Sequence, residues 1–266
     1  MHKLVRQVRF SINPFLADAE QGDSNSFCSS PSGEGLAMFF ELSVALVGEL
    51  AEETGFVINV VEIDKKVREA VVPFFADRIS QRYKQGRHIT LDEITAMLWE
   101  CHERLDGSLG KAMLSELGLM LNPLRKVEID CEDKKMIYFS EKFEFAATHK
   151  LWNDNYSESE NYEFFGKCAN PAGHGHNYVI EVTIKAPQGG DNIRIGNFEQ
   201  IVDSEFVNVV DHKNLNVDVD YFADEIPSVE NIAVLAWKSL VGKFDPAKLY
   251  SVTVWETDKT FCTYYG

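Results

Sequence analysis

Apolar and polar positions in the second half of the chain alternate in four stretches and take a helical period in two. Alternation over 135–150 and 177–186 predicts two strands. Apolar residues spaced by three and four over 198–208 and 228–242 predict two helices, and 250–256 and 260–265 predict two closing strands. Ser228 stands at the head of the second helical pattern, where an N-cap oxygen accepts from an otherwise unpaired backbone N–H. The order strand, strand, helix, helix, strand, strand predicts an α+β unit: a four-stranded antiparallel sheet with two helices on one face. Such a sheet has two open edges that must be paired or covered. Closing several sheets edge to edge into a barrel is one way to do so.

The first half repeats this plan. Cys28, Pro31, Gly33 and Gly35 recur as Cys168, Pro171, Gly173 and Gly175, each 140 positions later, and both copies run into an apolar stretch. Residues 8–16 match 143–151, and 90–99 match 228–237, with Thr90 in the place of Ser228. Residues 127–129 match 252–254; aligned without gaps from Val127, Cys131 stands opposite Glu256. The expectation is a duplicated chain with halves at 1–137 and 138–266.

Charge narrows the function. The 26 Lys and Arg stand against 42 Asp and Glu, a net charge of −16, the reverse of the basic footprint that nucleic acid or an anionic membrane surface attracts. No apolar run approaches the roughly 20 residues that span a bilayer, and the opening residues carry no apolar signal core. Five widely spread cysteines, an odd number, read as reduced thiols of a cytoplasmic protein.

Candidate chemistry is confined to the second half. His174 and His176 leave one face of an extended segment, so both imidazoles can reach one ion. His149 ends the preceding strand. Three histidines with an open fourth position make a catalytic zinc arrangement; the alternative is a chance pair of surface histidines. Pro14, Glu34 and Leu36 occupy the matching places in the first half, so the ligand set is lost there as a group. Cys168 lies six residues before His174, where a nearby cation favours the thiolate; the alternative is a buried structural thiol. Asp211 beside His212 suits a base oriented by a carboxylate, or a solvated loop pair. Glu256, inside an apolar strand, needs a partner, either paired ring N–H groups of a guanidine-like heterocycle, a lysine or a backbone edge.

Phe145–His149, Phe165–His176 with the following Asn-Tyr, Asp211-His212-Lys-Asn-Leu, Tyr221-Phe-Ala-Asp, Glu230-Asn-Ile-Ala-Val and Glu256-Thr-Asp together resemble the 6-pyruvoyl-tetrahydropterin and 6-carboxy-tetrahydropterin synthase family. The resemblance implies tandem tunnelling folds that oligomerise into barrels, with active sites at subunit interfaces. It implies Zn2+ on His149, His174 and His176, Cys168 as general base, and Asp211 and His212 as its proton relay. It further implies Glu256 as pterin anchor, with Ser228 and Glu230 beside the substrate. The implied substrate is 7,8-dihydroneopterin triphosphate, from which a carbon–oxygen lyase eliminates triphosphate. The five residues between Cys168 and His174 favour the pyruvoyl branch over the 6-carboxy branch of the queuosine pathway. A noncatalytic pterin- or purine-binding protein is the reading from a different class. By the same resemblance the first half is a degenerate, noncatalytic tunnelling-fold half that supplies barrel strands or part of an interface, with binding of a different small ligand as the rival reading. The assembly is a homo-oligomer, a trimer of stacked barrels ahead of a dimer.

Overall fold

The structure, a computed structural model, describes residues 1–15, 37–133, 136–190 and 192–266. Cys28, Pro31, Gly33, Glu34, Gly35 and Leu36 of the repeat lie outside the described residues. The chain divides into two compact units: Met1–Phe139 with Pro187–Asp191, and Ser140–Ala186 with Asn192–Gly266.

In the first unit β1 (His2–Ile12) pairs antiparallel with β2 (Met38–Gly48), and Phe10 faces Phe40 across the ladder. Then α1 (Val60–Lys66) runs through a π-helical turn, Val67–Val71, into α2 (Val72–Lys84), and α3 (Leu91–Leu105) follows. Strands β3 (Met113–Asn122) and β4 (Arg125–Asp130) complete the antiparallel order β1-β2-β3-β4. Period-two burial puts Val8, Phe10 and Ile12 on the inner face of β1. Phe75 of α2 meets Phe10 edge to face at 5.8 Å. Thr90 caps α3 in a reciprocal capping box with Glu93.

The second unit repeats the order of two strands, helices and two strands, with further short elements in its connections. Strand β5 (Met136–His149) neighbours β6 (His174–Pro187), reached through α4 (Glu158–Phe165) and a 3-10 turn, Gly166–Ala169. Helix α5 (Ile195–Val202) passes through a π-helical turn, Asp203–Val207, into the short α6 (Asn208–Val210). A two-residue strand β7 (Lys213–Asn214) runs parallel to β5; α7 (Leu215–Asp218), a 3-10 turn at Asp220–Ala223 and α8 (Val229–Leu240) follow. Strands β8 (Lys248–Thr257) and β9 (Thr260–Tyr264) close the antiparallel order β6-β8-β9. Ser228 caps α8, accepting from Asn231 N at 3.3 Å.

Two expectations change. Residues 127–129 lie in β4, the last strand of their unit, whereas 252–254 lie in β8, the third of theirs. The register makes the counterpart explicit, because Val182 pairs with Val252 as Leu42 pairs with Leu119. The stretch matching 252–254 is therefore in β3, and Cys131 is not the counterpart of Glu256. Both hairpin strands alternate alike, so sequence alone slipped by one strand. Strand β6 also begins at His174 rather than near 177, which brings both histidines inside the ladder.

The link from β5 to β6 is held by one side chain. Asn161 is fully buried and bonds on both ends of its amide: Oδ1 accepts from Asn153 N at 2.8 Å, while Nδ2 donates to the carbonyls of Asn153, Tyr156 and Ser157. Removing it strands buried backbone groups that cost about 1–3 kcal/mol each. Asn161→Ala is expected to lower the stability of the second unit by about 2 kcal/mol, read as a lower urea midpoint at unchanged slope.

Candidate metal centre

The inner face of β6 carries Ile184, Val182, Ile180 and Tyr178, all buried, and the same two-residue period continues to His176 and His174. On β5 the inner face runs Phe145, Ala147, His149. The three imidazoles thus sit where the apolar face of the sheet reaches its end. Tyr178 supports them from below, stacked on Phe145 at 4.9 Å, with its ring 5.6 Å from that of His176.

Two glycines let the strands approach. Gly173 has φ +70°, and a Cβ there would lie 2.9 Å from the His149 carbonyl oxygen. A Cβ on Gly175 would meet the Ala147 carbonyl oxygen at 3.3 Å. The glycines flanking His174 are a steric requirement of this corner.

His149 is the fixed member. It is 1% exposed, and its Nδ1–H donates to the Pro227 carbonyl at 2.7 Å. A carbonyl only accepts, so the proton is on Nδ1 and the Nε2 lone pair faces the cluster. That lone pair lies 3.1 Å from His174 Nε2, and one candidate ligand atom from each of the three histidines lies within 4.8 Å of the others. Glu256 Oε1 stands 3.4 Å from His149 Nε2 and 3.6 Å from His176 Nε2. Against His149 this sets an acceptor facing an acceptor, which needs a cation between them. His174 Nδ1 and His176 Nε2 are buried without a hydrogen-bond partner, a cost that a bound ion would remove in the case of His176. The donor set of neutral imidazoles suits a borderline transition metal, and Pro227 supplies the outer hydrogen bond that such ligands need. The residues fit a metal ion.

Burial holds His149 below the ordinary imidazole value, against the raising effect of Pro227, and His174 is lowered by burial and by His176. Burial, then the charge of Glu256, pushes the Cys168 thiol up. Cys168 is half-buried in the 3-10 turn, and its carbonyl accepts from Leu151 N at 2.9 Å. A divalent ion would reverse the local sign around that thiol.

Asp211 and His212 are joined to β5. Ala146 N donates to Asp211 Oδ1 at 2.8 Å, and His212 N donates to the Ala146 carbonyl at 2.6 Å. Asp211 is held low by the Ala146 amide first and by His212 second, and its Oδ2 lies 2.8 Å from His212 Nδ1. His212 has φ +56°, and its side chain is 82% exposed. No hydrogen bond or ion pair among the described residues joins this pair to Cys168. Ser228 acts on its helix, and Glu230, exposed in the first turn of α8, contributes to raising the Cys262 thiol after burial.

Sequence reading named all three histidines but not Pro227, Asn161 or Asn216. Asn216 spans the backbone of Lys150 from both sides, Oδ1 accepting from N and Nδ2 donating to O. Ser157 with Glu160 is a capping-box signature that marks α4, and Pro227 directly precedes an N-cap.

Residues 138–266 match the family model described as 6-pyruvoyl tetrahydropterin synthase. The human 6-pyruvoyl tetrahydrobiopterin synthase is 38% identical over 130 residues, 48% of this chain and 90% of that protein. The Drosophila melanogaster 6-pyruvoyl tetrahydrobiopterin synthase is 38% identical over 126 residues, 46% of this chain and 75% of that protein. The solved 6-pyruvoyl tetrahydropterin synthase of Caenorhabditis elegans aligns at 35% identity over 49% of this chain and 96% of its own, with a TM-score of 0.46.

Because the folded pKa values of His149 and His174 lie below those of the unfolded chain, the unfolded state binds more protons as pH falls below about 6.5. The metal-free protein is therefore expected to lose stability between pH 7 and pH 5. That loss shrinks in His149→Gln, as compared by thermal melts across the range.

Proposed function

This chain belongs to the 6-pyruvoyl tetrahydropterin synthase family, and we propose that its second half is a zinc-dependent lyase that converts 7,8-dihydroneopterin triphosphate with loss of triphosphate. The single observation that carries this reading is the convergence of His149, His174 and His176, with His149 locked into the ligating tautomer by Pro227. Residues 1–137 serve as a noncatalytic half.

Bound zinc would polarise the side-chain hydroxyls of the substrate and make their protons easier to remove. Cys168 takes the proton from the side chain, Asp211 orients and charges His212, and His212 passes the proton on. Lys150 and Lys213, next to the site in the chain, supply cations toward the triphosphate in an otherwise acidic molecule. Glu256 is the pterin anchor of this reading, through a bidentate charge-assisted contact, and its carboxylate must turn from the imidazoles to the ring to make it. Glu230 has no such competing contact, so Glu230 with Ser228 is the second candidate for the ring N–H groups. The anchor raises KM when changed to Gln, whereas a carboxylate acting at the metal lowers kcat and metal content.

Among the described residues of one chain, no hydrogen bond or ion pair joins the Asp211–His212 pair, whose imidazole is exposed, to Cys168. In a homo-oligomer, a trimer by this reading, the pair completes the site of another copy. The unpaired cysteines fit a cytoplasmic enzyme, and among the described residues no helix is long and apolar enough to cross a membrane.

The test is triphosphate release and product identification with 7,8-dihydroneopterin triphosphate, with and without chelator. About one zinc per chain and chelator-sensitive turnover are expected, and a metal-free, inactive preparation that cannot be reconstituted sinks the reading. Cys168→Ala and His212→Ala are each expected to lose at least a hundredfold in kcat. Co-expressed in one oligomer, the two variants are expected to recover activity that neither has alone.

A further inference from the structure

The two units differ in the connection between their paired helices. In the second unit residues 211–227 carry the buried side chains of Leu215, Val219 and Phe222. In the first unit only residues 85–90 join α2 to α3, and none of them is buried. Among the described residues, the corner between the start of β2, the end of α2 and the start of α3 holds a cavity of about 680 Å³. Its floor is formed by Phe75, Ile79, Met97 and Leu119, each no more than 7% exposed. Phe40 and Tyr83 add aromatic surface to its walls.

Its size is that of a small-molecule site, which for such pockets runs from roughly 300 to 1,000 Å³ with an apolar lining and few polar groups. The charged lining is more informative. In a chain where acids outnumber bases by 16, no acid among the described residues lines this cavity, and the ionisable basic groups on it are Arg87 and His88. Both residues are exposed, and among the described residues neither side chain makes a hydrogen bond or ion pair. An apolar chamber bordered by a guanidinium that no described acid pairs selects a molecule with an apolar body and one anionic end.

We propose that the first unit binds a small amphipathic anion, an aromatic or branched carboxylate, with its body on Phe75, Ile79 and Leu119 and its carboxylate at Arg87. This site is separate from the metal centre and does not depend on the reaction assigned there. Naphthalene-2-carboxylate is the probe, and naphthalene-2-carboxamide is its uncharged counterpart, both titrated calorimetrically into the full chain. The expected result is one carboxylate per chain at micromolar affinity and at least tenfold weaker binding of the amide. Arg87→Ala should remove the difference between the two probes. Ile89→Trp, which fills the cavity from its half-exposed wall, should abolish both while leaving the zinc content of the second unit unchanged. Non-saturable binding, equal affinity for the two probes, or binding indifferent to Ile89→Trp overturns the proposal. So does binding that occurs only after residues 16–36 are replaced by a short Gly-Ser linker, since the chain itself would then be the occupant.

Discussion

The hydrogen bond from His149 Nδ1 to the Pro227 carbonyl governs the second unit. It joins the last residue of a strand to the residue before a helix cap, 78 positions away. It also decides where the imidazole proton resides, and hence which nitrogen can bind an ion. The remaining features follow from that choice. With the Nε2 lone pair turned inward, His174, His176 and Glu256 are gathered around a point that calls for positive charge. The glycines at 173 and 175 exist to let β6 come close enough for this to happen.

The strand and helix order was readable because its signals are local and periodic. Alternation located β5 and β8, and Ser228 and Thr90 announced their helices through the oxygen that each offers to the first turn. His174 and His176 were readable for the same reason, since a separation of two residues fixes a common face. What escaped was long-range. Pro227 acts through its carbonyl, a group that every residue has, and nothing in the side chain advertises it. Asn161 and Asn216 act by matching amide geometry to backbone that only the folded chain brings near. The slip at 127–129 has a related origin: two adjacent strands with equal alternation are indistinguishable until a ladder assigns them partners.

The two units show how one order of elements supports different corners. A long link with buried side chains and a carbonyl at its end makes a polar, ligating corner. A short link leaves an apolar one. Both units carry a π-helical turn before the link, but the helix after it runs for 13 residues in α2 and for three in α6, so the difference lies in the helix and in the connection together.

His212 occupies a left-handed backbone conformation, uncommon outside glycine and asparagine, and keeps its ring almost wholly in solvent. Packing gains nothing from a histidine there. The backbone bond from His212 N to the Ala146 carbonyl would form equally well with asparagine or glycine, and either would sit at lower conformational cost. A laboratory lineage selected only for heat resistance would therefore drift away from histidine at this position. A lineage selected for turnover would keep it, and the two pressures would diverge at a residue that touches no core.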